Sequence, residues 1–158
     1  MKKTVLIVLA VIGGLSLLCV GAGVAASLWL GSNTGPPENV SIVVNAPGSV
    51  VRGTQFDIVV TVTDTSGTAR TIKDVDIYPT LNEGITFVKV TPTFAAADPS
   101  MGFYTYSMNT PVPANGTAVV TFTFVAQTAG TYAGDFDVSI DSIMRIHTTP
   151  TTITITEP

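Results

Sequence analysis

Thr117-Ala-Val-Val-Thr-Phe-Thr-Phe-Val-Ala-Gln127 is the stretch whose reading decides the fold. Ala118, Val120, Phe122, Phe124 and Ala126 take every second position, with Val119, Thr121, Thr123 and Val125 between them. A repeat of two belongs to a strand, whose successive side chains point to opposite faces. One face is apolar throughout. The other is Thr and Val, which favour strands without adding charge. The stretch is expected to be a strand with one face in a core.

The same period extends to both sides. Upstream, Phe56, Ile58, Val60 and Val62 alternate with Asp57, Val59, Thr61 and Thr63, and Asp64-Thr-Ser-Gly67 is expected to turn the chain. Val40, Ile42 and Val44 mark an earlier strand. Strands are also expected over Ile72 to Tyr78, with Val75 and Ile77 inward, over Gly84 to Val90, and over the short aromatic stretch Phe103 to Met108. Thr91 to Gly102 reads as a long irregular loop and Pro111 to Gly116 as a turn cluster. Downstream, Tyr132, Phe136, Val138 and Ile140 place a strand in Gly130 to Ile140. Ile143 to Thr156 reads as one or two last strands interrupted at Pro150. No stretch beyond Pro37 keeps a helical period over three turns. The fold class is all-β, an antiparallel β-sandwich of 7–9 strands burying its apolar faces between two sheets.

Gly53-Thr-Gln-Phe-Asp-Ile-Val-Val-Thr-Val-Thr-Asp-Thr-Ser-Gly67 resembles the second strand and turn of immunoglobulin-like domains of bacterial and archaeal surface proteins, of the CARDB-like and conserved surface-repeat type. Ala114 to Phe124 and Thr128-Ala-Gly-Thr-Tyr132 extend the resemblance, which spans residues 38–157. It implies an Ig-like sandwich and a role in adhesion, spacing or assembly. It also implies a tyrosine corner at Tyr132, with Gly134 standing where antibody domains carry a Cys. The 91–102 loop departs from the compact pattern.

The front of the chain is of another kind. Thr4 to Leu30 contains no charged residue and directly follows Lys2 and Lys3. As a helix it would be roughly 40 Å long, enough to cross a hydrocarbon core of about 30 Å. The run exceeds a signal h-region and ends in Leu28-Trp29-Leu30, so an uncleaved signal-anchor is expected. The expected organisation is a transmembrane α-helix over 1–30, a linker over 31–37 and the sandwich over 38–158. The localisation is the cell membrane, single-pass, with the N-terminus cytoplasmic and the C-terminal domain extracytoplasmic. Ala10, Gly14, Gly21 and Ala25 form a small-residue stripe on that helix, a candidate surface for helix packing and self-association. Cys19 lies inside the apolar run, which leaves the sandwich without an internal disulfide.

From Gly31 onward five basic residues face eleven acidic ones. Such a domain is a poor ligand for nucleic acid, and no nucleic-acid partner is expected. No Gly-x-Ser-x-Gly motif and no phosphate-binding Gly-Lys loop occurs, and His147 is the only histidine. The expected function is a membrane-anchored extracytoplasmic structural or protein-interaction module, not an enzyme, and without a cofactor. Two alternatives are a pilin-like filament subunit and a carbohydrate-binding or cohesin-like surface module. Asp135, Asp137 and Asp141 are candidates for a weak Ca²⁺ site, against the reading of a solvated strand face. Tyr104 and Tyr106 are a candidate binding surface, on the condition that the Phe103 face is the buried one.

Overall fold

Alternation fixes which side chains share a face, and pairing fixes which faces meet. The structure, a computed structural model, describes residues 34–99 and 103–158. The expected membrane helix, the stripe Ala10, Gly14, Gly21 and Ala25, and linker residues 31–33 lie outside the described residues. Among the described residues no helix is long and apolar enough to cross a membrane. Pro36–Pro158 forms one unit.

That unit runs β1 (Val40–Asn45), β2 (Ser49–Val51), β3 (Gln55–Asp64), β4 (Arg70–Ile77) and one helical turn, α1 (Pro79–Asn82). It continues β5 (Ile85–Thr91), β6 (Ala96–Asp98), β7 (Tyr104–Val112), β8 (Thr117–Ala126), β9 (Gly130–Ile140) and β10 (Ile146–Thr156). Four strands form one sheet in the order β1-β3-β8-β5, and six form the other in the order β2-β10-β9-β4-β7-β6. The order β1-β3-β8-β5 is that of strands A, B, E and D of an immunoglobulin constant-type domain, and β4-β9-β10 is that of C, F and G. The fold is an Ig-like β-sandwich. Two additions distinguish it: β2 beside β10, and a β6–β7 hairpin inserted between the D and E strands and paired to the free edge of β4.

Several expectations need correction. The described strands number ten rather than seven to nine. The extra two, β2 and β6, have three residues each, too short for alternation to show. The sandwich is not wholly antiparallel, since β2 runs parallel to β10. The 91–102 loop holds β6, and β7 extends beyond Met108 through Pro111, which lies opposite Thr71. Pro150 does not interrupt the last strand. It pairs with Asp135 inside β10. β2 reaches β10 only at Thr154–Thr156, so at Pro150 the other flank of β10 carries no paired strand, and the missing N–H is tolerated there.

The core is the apolar face of β3 and β8 laid on that of β4, β7 and β9. Ile58, Val60, Val62, Val120, Phe122 and Phe124 are fully buried, as the alternation predicts. Strict alternation fails at two bulges. Ile72 would share a face with Asp74, but the register shifts between them. Ile72, Val75 and Ile77 therefore all enter the core while Asp74 and Asp76 stay on the outer face. A second shift between Phe87 and Lys89 brings Val90 inward. Leu81 of α1 is buried over Gly134 of β9, where an added Cβ would sit 3.0 Å from Leu81 Cγ and 2.8 Å from Thr80 Oγ1. The bare position at 134 leaves room for α1.

The predicted Asp64–Gly67 turn is held by one carboxylate. Asp64 Oδ1 accepts from Ser66 Oγ at 2.6 Å and Ser66 N at 3.1 Å, and Oδ2 accepts from Gly67 N and Asn115 N at 2.9 Å each. Gly67 has φ +76°, which an L side chain adopts poorly. The Ser66 hydroxyl foremost, with the Asn115, Ser66 and Gly67 N–H groups, holds the Asp64 carboxyl well below the ordinary carboxylate range, against the opposing effect of burial. A depressed folded-state pKa contributes stability above about pH 4 that is lost as pH falls through the folded value. Asp64→Asn is therefore expected to lower the Tm by several degrees near pH 7. Its deficit against the unaltered chain should shrink below about pH 4. Melting curves of both proteins across that range check this, and a pH-independent deficit contradicts it.

Candidate functional site

The outer face of the six-stranded sheet carries the densest polar chemistry among the described residues. Register places side chains in rows across it, because directly opposed residues of neighbouring strands share a face. One row reads Ser107 (β7), Asp74 (β4), Ser139 (β9), Ile146 (β10). The next reads Asp98 (β6), Thr105, Asp76, Asp137, Thr148. Beyond it, the Tyr78 and Phe103 rings meet at a tilt with centroids 5.8 Å apart, and Asp135 lies opposite Pro150. Asp74, Asp76, Asp98, Asp135 and Asp137 thus put five of the chain's eleven acidic residues on one face.

A cleft of about 300 Å³ opens on this face. Asp74, Asp76, Thr105 and Ser139 line its polar side, and Phe103, Ile143 and Ile146 line the rest. The volume lies at the small end of the roughly 300–1,000 Å³ usual for ligand sites. The inserted β7 and the residue before it supply Thr105 and Phe103, so one wall comes from an addition to the basic fold. Ile143, 69 % exposed, and Met144 belong to the β9–β10 connection and extend the apolar side beyond the cleft.

The carboxylates are unevenly satisfied. Asp74 Oδ1 accepts from Ser107 Oγ at 2.7 Å. Asp137 is nine-tenths buried. Its Oδ2 receives the Tyr78 hydroxyl at a long 3.5 Å, and its Oδ1 is buried with no hydrogen-bond partner. Asp76 Oδ1 is likewise buried and unpartnered. Burial foremost pushes the Asp76 carboxyl up, and the Asp74 and Asp137 charges add to this against the Thr105 hydroxyl. The charge of Asp137, more than any other effect, raises the Tyr78 phenol. Like charges directly opposed in a sheet destabilise it, and Asp76 faces Asp137.

The candidates named from sequence fare differently. Asp135 and Asp137 share the outer face of β9, but Asp141 does not join them. Asp141 Oδ1 accepts from Thr71 N at 2.8 Å and its Oδ2 from Arg70 Nη1 at 2.9 Å, so its carboxylate ties the end of β9 to the start of β4. Among the described residues no three acidic, His or Cys side chains are placed to hold a metal. The three carboxylates singled out together, Asp135, Asp137 and Asp141, therefore divide between the outer face of β9 and the tie from β9 to β4. Tyr104 and Tyr106 also separate. Their face of β7 is the core face, and Phe103 lies on the other side. Tyr106 is 5 % exposed, and its ring packs on Phe87, Phe122 and Phe94 at 5.0, 5.3 and 5.5 Å. Burial pushes its phenol up to about 12. Tyr104, 43 % exposed, lines a second cleft of about 300 Å³ at the β5 and β7 edges with Asn82 and Phe87. His147 is a strand residue opposite Val138.

Sequence reasoning missed Asp74 and Asp76. Asp-Val-Asp-Ile over 74–77 is ordinary strand alternation, and the same pattern describes any wet face. What assembles the cleft is the pairing of β7 and β9 onto β4.

No family model matches the sequence, and no curated protein matches it. Solved structures of similar fold include a part of the alpha-2-macroglobulin of E. coli, with TM-score 0.50 and 8 % identity over 77 % of this chain and 7 % of that one. A cohesin module of a Clostridium perfringens glycoside hydrolase aligns with TM-score 0.46 and 12 % identity over 76 % of this chain and 97 % of the module. The CARDB domain of a Pyrococcus furiosus protein aligns with TM-score 0.41 and 10 % identity over 73 % and 94 %. At such identities the likeness concerns the fold alone.

Proposed function

We propose that the chain is a single-pass membrane protein whose extracytoplasmic Ig-like sandwich is a protein-binding module without catalytic activity. One observation carries the binding role. The inserted β6–β7 hairpin widens one sheet and walls a cleft continued by the exposed apolar side chains Ile143 and Met144 with a polar rim, the kind of patch that marks an interaction site. The uncharged Thr4 to Leu30 run behind Lys2 and Lys3 supports the anchor and its orientation. The resemblance of 53–67, 114–124 and 128–132 to CARDB-like and surface-repeat domains supports a place on the cell surface.

Two measurements test this. The chain is expected to stay with membranes after alkaline carbonate extraction, while added protease digests the sandwich from the outer side only. A photo-crosslinking amino acid at position 143 is expected to give a discrete adduct in intact cells. The same group at Val119, exposed on the opposite sheet, is expected to give none. Release into the soluble fraction overturns the anchor, and equal labelling at both positions overturns the binding face.

A further inference from the structure

The cleft beside Asp76 has unmet electrostatic demand. Asp76 and Asp137 face each other in the ladder, each with a buried Oδ1 that lacks a donor. A buried acceptor left unpaired is costly, so a donor arriving from outside is favoured. Three of the sandwich's five basic residues are committed elsewhere. Arg70 is held by Asp64 and Asp141, Arg52 by Glu157, and Lys73 by the Asn109 amide oxygen. The missing partner is a hydrogen-bond donor with positive charge.

The shape of the cleft selects among cations. A hard divalent ion takes about 6–8 oxygen ligands. Here much of the wall is Phe103, Ile143 and Ile146, and no metal-holding group is assembled among the described residues. A charged head on a hydrocarbon stem matches both walls. A head at Asp74 and Asp76 would leave its stem along Ile143 and Ile146, with Phe103 on the same apolar wall.

We propose that this cleft receives the ammonium or guanidinium head of a lysine or arginine side chain presented by a partner protein, with neighbouring apolar residues of the partner packed on Ile143 and Met144. The proposal rests on the protein-binding reading and names the chemistry of the partner. The exposed apolar side chains next to the cleft favour a side chain carried by a protein over a free amine, which would leave them uncovered.

The test uses the full-length chain in uncharged detergent and the peptides acetyl-Leu-X-Leu-amide, with X as Lys, Arg or norleucine. n-Butylammonium and Ca²⁺ are added as separate probes. Saturable binding of the Lys and Arg peptides is expected by calorimetry, at least tenfold tighter than that of the norleucine peptide and of n-butylammonium. Asp76→Asn is expected to weaken the Lys peptide at least tenfold while raising the Tm of the free protein, because it relieves the opposed charges. Ile143→Ser, at an exposed loop position, is expected to weaken the Lys peptide and leave the Tm unchanged. Equal binding of the norleucine peptide, equal binding of n-butylammonium, preferential binding of Ca²⁺, or no binding of any peptide would each overturn the proposal. A discrete crosslinked partner at position 143 that persists in Asp76→Asn would overturn it too, while leaving the broader binding role standing.

Discussion

Phe122→Ala is expected to cost about 3–5 kcal/mol, the range for emptying a buried phenylalanine site. Phe122 is fully buried in β8 and its ring contacts rings of the other sheet. Its centroid lies 5.3 Å from Tyr106 of β7 and 6.2 Å from Phe136 of β9, both edge-on, and 6.4 Å from Phe124 in its own strand. Truncation removes the transfer energy of the ring and leaves a void that three rings from three strands cannot close without losing their mutual geometry. With a total stability of roughly 5–15 kcal/mol for an ordinary domain, the loss is a large share. Urea unfolding gives the number. Val119→Ala, one strand face away and 48 % exposed, is the control, expected to change stability by no more than about 0.5 kcal/mol. Similar losses in both variants would show that the core does not lie where β8 alternation puts it.

Gly84→Ala is expected to destabilise by about 1–3 kcal/mol, the cost of overpacking a filled site. An added Cβ would land in the Tyr132 ring, against Cε2, Cδ2 and Cζ. The backbone at 84 has little freedom to retreat. Its carbonyl accepts from Gln127 N at 2.8 Å and Thr128 N at 3.2 Å, and its N–H donates to Leu81 O at 3.4 Å. The ring must move instead, and Tyr132 spans from β9 to the chain entering β5, one sheet to the other. Tyr132→Ala removes the obstacle. In that background Gly84→Ala is expected to cost much less, so the double mutant is more stable than the sum of the single changes predicts. A coupling of at least about 0.5 kcal/mol in a double-mutant cycle would bear this out, and strict additivity would refute it. The resemblance to a tyrosine corner drew attention to Tyr132. The structure shows its ring packed over a bare glycine.

Particular residues show how far local reading reached. Val60, Val120, Phe122, Phe136 and Val138 are buried where a repeat of two puts them, because burying one face of a strand is visible in the strand itself. The Asp64–Gly67 turn was legible for the same reason: its bonds run mostly to its own next residues. The place of Tyr106 stayed conditional because periodicity groups residues by face without saying which face meets the other sheet. Asp141 was grouped with Asp135 and Asp137 by spacing, yet its left-handed backbone, φ 61°, turns it to Arg70, seventy-one residues earlier.

By itself the sequence determined a repeat of two over residues 38–158, and with it an all-β sandwich and the side chains able to fill its interior. It also set an uncharged apolar run at the front and an acidic balance behind it. Tertiary structure alone decided the rest: the bulge that sends Ile72 inward and leaves Asp74 outside, the hairpin that walls the cleft, and the meeting of Asp76 with Asp137. The physical reason is range. A strand's sidedness is written in adjacent residues, whereas its neighbours and register are chosen by contacts between segments far apart along the chain, and the cleft exists only where three such segments lie side by side.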